Sequence, residues 1–146
     1  MPNSPLSKVQ FHAIHGPFTL RQRNALKTYL LRLLKRKGRN LDSLQFIFCS
    51  DAYLLGINQQ FLQHDDYTDI ITFDLSEKGG DLVGEIYISI DRIRENAASF
   101  GVSFQRELHR VIFHGVLHLC GYKDKTPKDK LEMNRQEELA LKGYFN

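Results

Sequence analysis

The chain has 146 residues, of which 42% are hydrophobic and 25% are charged, and its formal net charge is +3. This composition is typical of a globular protein and argues against a disordered chain or a fibre, while only two cysteines are present to staple a secreted scaffold. The sequence contains no long apolar run that would span a membrane and no basic and apolar N-terminal segments of a signal peptide. We therefore expect one domain over residues 1–146, in a cytoplasmic protein.

The N-terminal part of the chain predicts strands and helices in alternation. Residues 9–14 are expected to form a strand, and Thr19 with Gln22 three positions later gives the capping-box pattern of a helix start. Leucines at helical spacing follow, and Gly38 is expected to end this first helix. Residues 44–49 then predict a second strand.

The middle of the chain predicts a helix followed by a hairpin. Ser50 can cap the helix, and residues 64–69 form a polar loop after it. Residues 70–75 are β-branched and aromatic, and residues 82–90 show the clearest alternation of apolar and polar side chains in the sequence. Because a short glycine-rich turn joins these two segments, we expect them to pair as a β-hairpin.

Three helices are expected at the C-terminal end, with Asp91, Ser103 and Thr126 as their N-caps. The last helix is expected to stop at Leu141, before Gly143. The resulting order, β-α-β-α-β-β-α-α-α, predicts an α+β fold in which a small mixed sheet of about four strands packs with helices.

Two histidines on the helix predicted over residues 104–120, near the C-terminal third of the chain, carry the candidate chemistry. The apolar face of this helix is formed by Phe104, Leu108, Val111, Ile112, Gly115 and Leu119. His114 and His118 lie one turn apart at its edge, so both imidazoles can bind one ion. Gly121 can reverse the chain after the helix and bring back Asp124.

The string H-x-x-x-H-x-x-G-x-x-D has the spacing of the metzincin zinc motif. A histidine pair alone is more often structural than metal-binding, but the glycine and the returning carboxylate favour a site. We therefore predict one Zn²⁺ ion held by His114, His118 and Asp124, with a fourth position open for water. Zinc peptidases place a glutamate general base directly after the first histidine, and Gly115 stands there instead. No side chain is assigned as catalytic, and a metal-bound water is the expected nucleophile.

The stretch His114-Gly-Val-Leu-His118-Leu-Cys-Gly121-Tyr122 resembles the signature of the YbeY family, the metal-dependent endoribonucleases of rRNA maturation. Residues 58–61 and 68–73 resemble the upstream motif of that family, and residues 84–89 resemble its central strand. The resemblance implies a single α+β domain with one zinc ion that cleaves single-stranded RNA. It further implies late-stage maturation of the 16S rRNA 3′ end, ribosome quality control, and the small ribosomal subunit as a partner.

The chain departs from the family pattern at several positions. Asp124 stands where the family usually has a third histidine ligand, and Lys123 stands where an aspartate is common. Tyr67 replaces a proline, and Leu62 replaces an arginine that would suit a scissile phosphate. Three cations are candidates for the missing charge: His64, Arg110 and Lys123.

A basic stretch near the end of the first helix has two interpretations. Five cations lie within eight residues: Arg32, Lys35, Arg36, Lys37 and Arg39. Cations are favourable at a helix C-terminus, which we favour, and the same cluster could guide RNA phosphates.

Three hypotheses about function follow. The first is the zinc-dependent endoribonuclease described above. The second is a non-catalytic ribosome assembly factor whose metal only stabilises the helix end, a role that Leu62 favours. The third is another metallohydrolase, with Gly115 arguing against a peptidase.

Overall fold

The computed structural model describes residues 4–14, 16, 18–64 and 66–146. After a short 3-10 turn at Pro5–Lys8, the elements are β1 (Val9–Ala13), α1 (Arg23–Arg36), β2 (Leu41–Cys49), α2 (Asp51–Leu62), β3 (Ile70–Asp74), β4 (Leu82–Ser89), α3 (Ile90–Phe100), α4 (Phe104–Leu119) and α5 (Pro127–Phe145). This is the predicted order of strands and helices, so the α+β prediction is confirmed.

One sheet has the strand order β1-β2-β4-β3. β1, β2 and β4 run parallel, and β3 pairs antiparallel with β4, which confirms the predicted hairpin. Parallel neighbours require a crossover, and α1 provides the one between β1 and β2. β3 therefore forms one edge of the sheet, on the side that faces the candidate site.

Helix α4 lies in the core, where it contacts strands β3 and β4 of the sheet and also helices α3 and α5. Two glycines allow its close approach to the sheet. A Cβ at Gly115 would lie 2.8 Å from Cδ1 of Ile70, and one at Gly84 would lie 3.0 Å from Cδ1 of Leu119. The Ser103 hydroxyl caps the helix by accepting the Arg106 N–H at 3.0 Å, as predicted. The position of the α4 backbone is therefore set by its N-cap and by its close packing on the sheet.

Two predicted helix starts are wrong. The capping-box pattern at Thr19 does not begin a helix, because Gln22 adopts the left-handed conformation (φ 54°), which a right-handed helix cannot pass through, and α1 starts after it. Asp91 does not cap α3 either. Ser89 takes that position, and its hydroxyl accepts the Arg92 N–H at 3.1 Å.

The predicted end of the last helix is also wrong, because α5 continues through Gly143 to Phe145. The Tyr29 hydroxyl occupies the space beside Gly143, 2.6 Å from where a Cβ would lie. The same hydroxyl donates to the Ala140 carbonyl at 3.0 Å. Gly143 therefore serves close packing between α1 and α5 rather than helix termination.

The two cysteines do not form a disulfide. Cys49 at the end of β2 and Cys120 at the C-cap of α4 are both free thiols. Within the described ranges, no helix is both long enough and apolar enough to cross a membrane.

Candidate metal centre

A cavity of about 360 Å³ lies beside the C-terminal half of α4. Its wall comes from the loop before β3, from β3 itself, from α4 and from the loop after α4. The lining residues are Thr68, Asp69, Ile70, Thr72, Arg110, Val111, His114, His118 and Asp124. The structure therefore brings all three predicted ligands to one cavity.

The two histidine rings are nearly parallel, with an interplanar angle of 4° and centroids 6.4 Å apart. Nε2 of His114 lies 3.5 Å from Oδ2 of Asp124. Among the residues described by the structure, no three His, Cys, Asp or Glu side chains already stand in full metal-binding geometry. His118 and Asp124 are exposed, and both line the same cavity as His114. Two imidazoles and a carboxylate are a donor set that suits zinc.

The turn after α4 explains how Asp124 returns to the histidines. Gly121 has a φ of 102°, and the Tyr122 N–H donates to the Leu117 carbonyl at 3.1 Å, which is a Schellman ending of a helix. This conformation favours glycine because a Cβ is strained at positive φ. The glycine singled out in the sequence therefore has the predicted structural role.

Two cations of the basic stretch hold this turn in place. Nζ of Lys37 donates to the Tyr122 hydroxyl at 2.9 Å and to Oε1 of Gln136 at 2.7 Å. Nη1 of Arg39 donates to the carbonyl of Leu119, the last residue of α4, at 2.9 Å. The interpretation of cations at a helix C-terminus is thus correct in kind, but the helix end that these two residues serve is that of α4.

A buried carboxylate behind His114 was not predicted from the sequence. Oε2 of Glu137 lies 2.7 Å from Nδ1 of His114, and the Glu137 side chain is only 4% exposed. Its other oxygen lies 3.2 Å from Nη1 of Arg110. A signal was present, because Met133, Glu137 and Leu141 lie at i, i+4 and i+8 on the buried face of α5. A glutamate on such a face requires a charged or hydrogen-bonding partner.

Charges around the cavity oppose the effect of burial on the pKa values of the groups that line it. Burial would lower the pKa of His114, but the hydrogen bond and charge of Glu137, together with the charges of Asp124 and Asp69, raise that pKa above its ordinary value. Burial raises the pKa of Asp69, and the positive charges of Arg110 and His114 offset only part of that increase. The pKa values of His114 and Asp69 at this cavity therefore both lie above their ordinary values.

Leu62 stands where the family usually has an arginine, and it lies beside the site, as the resemblance implies for that arginine. Leu62 and His64 line an adjoining cleft of about 470 Å³. This cleft shares His118 and three other lining residues with the first cavity: Thr68, Ile70 and Thr72. Arg110 reaches the first cavity, but it is held by Glu107 and Glu137. Lys123 is exposed and lines neither space.

Gly115 is oriented toward the sheet rather than toward the cavity. A side chain there would meet Cδ1 of Ile70 at 2.8 Å and Cδ1 of Ile86 at 3.1 Å. A glutamate general base of the peptidase type therefore has no space at this position, and peptidase chemistry of that kind stays disfavoured.

Comparisons with known proteins agree on one family. Residues 9–144 match the family model of Endoribonuclease YbeY. The Endoribonuclease YbeY of Cytophaga hutchinsonii is 50% identical over 124 residues, which cover 85% of this chain and 87% of that protein. The Porphyromonas gingivalis protein of the same name is 42% identical over 137 residues, which cover 93% of this chain and 89% of that protein.

The solution structure of TM1509 from Thermotoga maritima has a similar fold, with a TM-score of 0.65 and 29% sequence identity, and the match covers 94% of this chain and 89% of that one. The family predicted from the histidine motif is confirmed by the sequence matches. This chain belongs to the Endoribonuclease YbeY family.

Proposed function

We propose that this protein is a single-strand-specific, zinc-dependent endoribonuclease that binds one Zn²⁺ through His114, His118 and Asp124. The observation that carries the proposal is the convergence of these side chains on one cavity, with Glu137 hydrogen-bonded to the rear nitrogen of His114. Curated relatives at 42–50% identity carry the name Endoribonuclease YbeY, which supports RNA as the substrate.

Zinc, when bound at such a site, lowers the pKa of water and polarises a phosphoryl oxygen. The remaining contributions come from the chain itself. Thr72 lines both the cavity and the adjoining cleft, and a threonine hydroxyl can donate a hydrogen bond to a phosphate oxygen. His64 lines the adjoining cleft and is the candidate there for the positive charge that Leu62 lacks. The continuity of the two spaces gives a nucleotide strand room on both sides of His118.

The biological setting of the proposal follows the family. We place the cleavage in late-stage maturation of the 16S rRNA 3′ end and in ribosome quality control, with the small ribosomal subunit as partner, in the cytoplasm. The net charge of +3 is compatible with a polyanionic partner. In the basic stretch, Lys37 and Arg39 are used within the fold, and Arg32 and Lys35 remain candidates for contacts with phosphates.

Cleavage of a labelled single-stranded RNA tests this function. Wild type, His118→Ala and His12→Ala are purified identically, and His12 serves as the matched control because it lies on β1, away from the cavity. We expect cleavage by wild type and His12→Ala and none by His118→Ala. Equal cleavage by all three would identify a contaminating ribonuclease and remove the support for this enzyme.

A non-catalytic ribosome assembly factor is the second candidate. It is favoured by one observation: Arg110, the arginine that lines the cavity, is paired with two buried carboxylates. Its charge is therefore largely compensated before any phosphate arrives. Co-sedimentation with the small subunit by wild type and His118→Ala alike, without RNA cleavage by either, is the result that would favour this candidate.

A further inference from the structure

We infer that Glu137 is a positioning residue: its carboxylate accepts a hydrogen bond from Nδ1 of His114, so that in the neutral ring Nε2 faces the cavity without a hydrogen. Neither the histidine motif nor the family comparison assigns a role to this residue. The inference rests on the proposed metal site, and it concerns how the protein prepares a ligand before any ion binds.

The contacts form a continuous series from one helix to the other. Nη2 of Arg110 lies 2.7 Å from Oε2 of Glu107, and Nε of Arg110 lies 2.8 Å from Oε1 of the same carboxylate. Nη1 of Arg110 then lies 3.2 Å from Oε1 of Glu137. Oε2 of Glu137 completes the series at 2.7 Å from Nδ1 of His114. Arg110 and His114 belong to α4, and Glu137 belongs to α5.

The two carboxylates of this series are buried and share one cationic partner. The side chains of Glu107 and Glu137 are 1% and 4% exposed. A buried carboxylate requires a charged or hydrogen-bonding partner. Arg110 is that partner for both, with contacts of 2.7 Å to Glu107 and 3.2 Å to Glu137. Arg110 thus acts through Glu137 rather than on substrate.

A carboxylate in an ion pair with a guanidinium accepts hydrogen bonds. The 2.7 Å contact therefore requires that Nδ1 of His114 carry the hydrogen and donate it to Glu137. In the neutral ring, the other nitrogen then has no hydrogen, and it is the nitrogen that lies 3.5 Å from Asp124 at the cavity. The opposite tautomer would place two acceptors 2.7 Å apart at the buried Glu137, which is unfavourable. The contact of Nε2 with Asp124 is longer, at 3.5 Å, and Asp124 is exposed to water, so an acceptor there costs less.

The series also determines the local charge. The two carboxylates and one guanidinium leave an excess negative charge behind His114, and Asp124 adds another carboxylate at the cavity. This distribution favours a cation at the cavity and makes the His114 imidazole a stronger electron-pair donor to a metal ion. Helix α5 therefore belongs to the site, although no residue of α5 lines the cavity.

The first test uses the unmodified protein. The ¹⁵N shifts and proton couplings of the His114 ring are measured by NMR in metal-free wild type at alkaline pH, where the ring is neutral. We expect the Nδ1–H tautomer to predominate. Predominance of the Nε2–H tautomer, or the mixture found in a free histidine side chain, would overturn the inference without any variant being made.

The second test compares Glu137→Gln with Glu138→Gln. Both remove one negative charge from α5, but Glu138 is 62% exposed and pairs with Arg106 outside the site. Zinc affinity is measured by competition with a chromophoric chelator, and thermal melting checks that each variant is folded. We expect Glu137→Gln to weaken zinc binding by about 10- to 100-fold and Glu138→Gln to leave it unchanged.

Equal zinc affinities for wild type and a folded Glu137→Gln variant would contradict the inference. If Glu137→Gln does not fold, the tautomer measured in wild type decides the question. The outcome is also separable from the proposed function. Intact RNA cleavage with the wrong tautomer would remove only the role of Glu137, whereas the expected tautomer and zinc affinity without RNA cleavage would remove only the nuclease.

Discussion

Helix α4 contains two histidines with low exposure, His109 and His114, in opposite surroundings. His109 stacks on Tyr144 with centroids 5.2 Å apart, and its Nδ1 donates to the Gln105 carbonyl at 2.7 Å. Its Nε2 is buried and has no hydrogen-bond partner among the described residues. His114 has a carboxylate on one nitrogen and a cavity on the other.

The two environments shift the pKa values of the two histidines in opposite directions. Burial lowers the pKa of His109, and a single backbone hydrogen bond does not compensate. For His114 burial acts in the same sense, but Glu137 and the other carboxylates reverse the result and raise the pKa. The same residue type is a neutral core side chain on one part of the helix and a candidate ligand on another. The partner of Nδ1 makes the difference: it is a backbone carbonyl for His109 and a carboxylate for His114.

The largest change in free energy is expected on the side of α4 that packs against aromatic rings. Phe113 is fully buried, with its ring 5.5 Å from that of Tyr29 and 5.9 Å from that of Tyr144. Phe113→Ala should destabilise the metal-free protein by about 3–5 kcal/mol, because it leaves a cavity that the rigid surroundings cannot fill. Denaturant unfolding measures this change, and the zinc affinity of the protein that remains folded should be unaltered. A large loss of zinc affinity would show that the two sides are not independent.

The next effect is expected at the ligand side. Asp124→Ala should lower zinc affinity by more than ~100-fold, or about 2.7 kcal/mol, because a ligand is removed rather than a supporting group. Asp124 is exposed, so the stability of the metal-free protein should stay the same. Asp81→Ala, in the exposed turn before β4, is the control. Equal chelator-competition curves for the two variants would show that Asp124 is not a ligand.

A smaller effect is expected where α4 meets the sheet. Gly115→Ala should destabilise the protein by about 1–3 kcal/mol, since the added methyl collides with Ile70 and Ile86. Gly56→Ala is the matched control, because Gly56 lies in α2 with nothing within 4 Å of an added Cβ. That change should stabilise the protein by about 0.5–1 kcal/mol. Thermal melting compares both, and a neutral Gly115→Ala would contradict the close packing of α4.

The smallest effect concerns pH. Because the pKa of His109 is lowered on folding from its ordinary value of 6.5, the unfolded chain takes up this proton first as the pH falls. His109 therefore contributes nothing unfavourable above pH 6.5 and destabilises the metal-free fold below it, by at most about 1.4 kcal/mol per pH unit. His109→Gln should flatten the stability curve of the metal-free protein between neutral and acidic pH. A curve parallel to that of wild type would be evidence against a neutral buried His109.

The sequence was sufficient for the order of elements and for placing His114, His118 and Asp124 at one cavity, because both depend on local periodicity and spacing. Their role as metal ligands stays a prediction. Ser103 as a cap and Gly121 as a turn are local features of the same kind. The error at the end of α5 arose where a distant contact, that of Tyr29 beside Gly143, overrode a local pattern.

The supporting residues could not be predicted in this way. Glu137 meets His114 across 23 positions of the chain, and Lys37 meets Gln136 across 99. Such contacts depend on how α1, α4 and α5 pack, which no local motif encodes. A glutamate on the buried face of α5 could have indicated an unidentified partner, but not that this partner is the first histidine of the motif.

The most direct test is RNA cleavage by wild-type protein that has been stripped of metal and then titrated with zinc. Cleavage of a labelled single-stranded RNA should be absent in the stripped protein and should rise until one zinc is present per chain. His118→Ala, treated identically, should stay inactive throughout the titration. Cleavage by the stripped wild type at an undiminished rate, or equal recovery by His118→Ala, would contradict a metal-dependent reaction at this site.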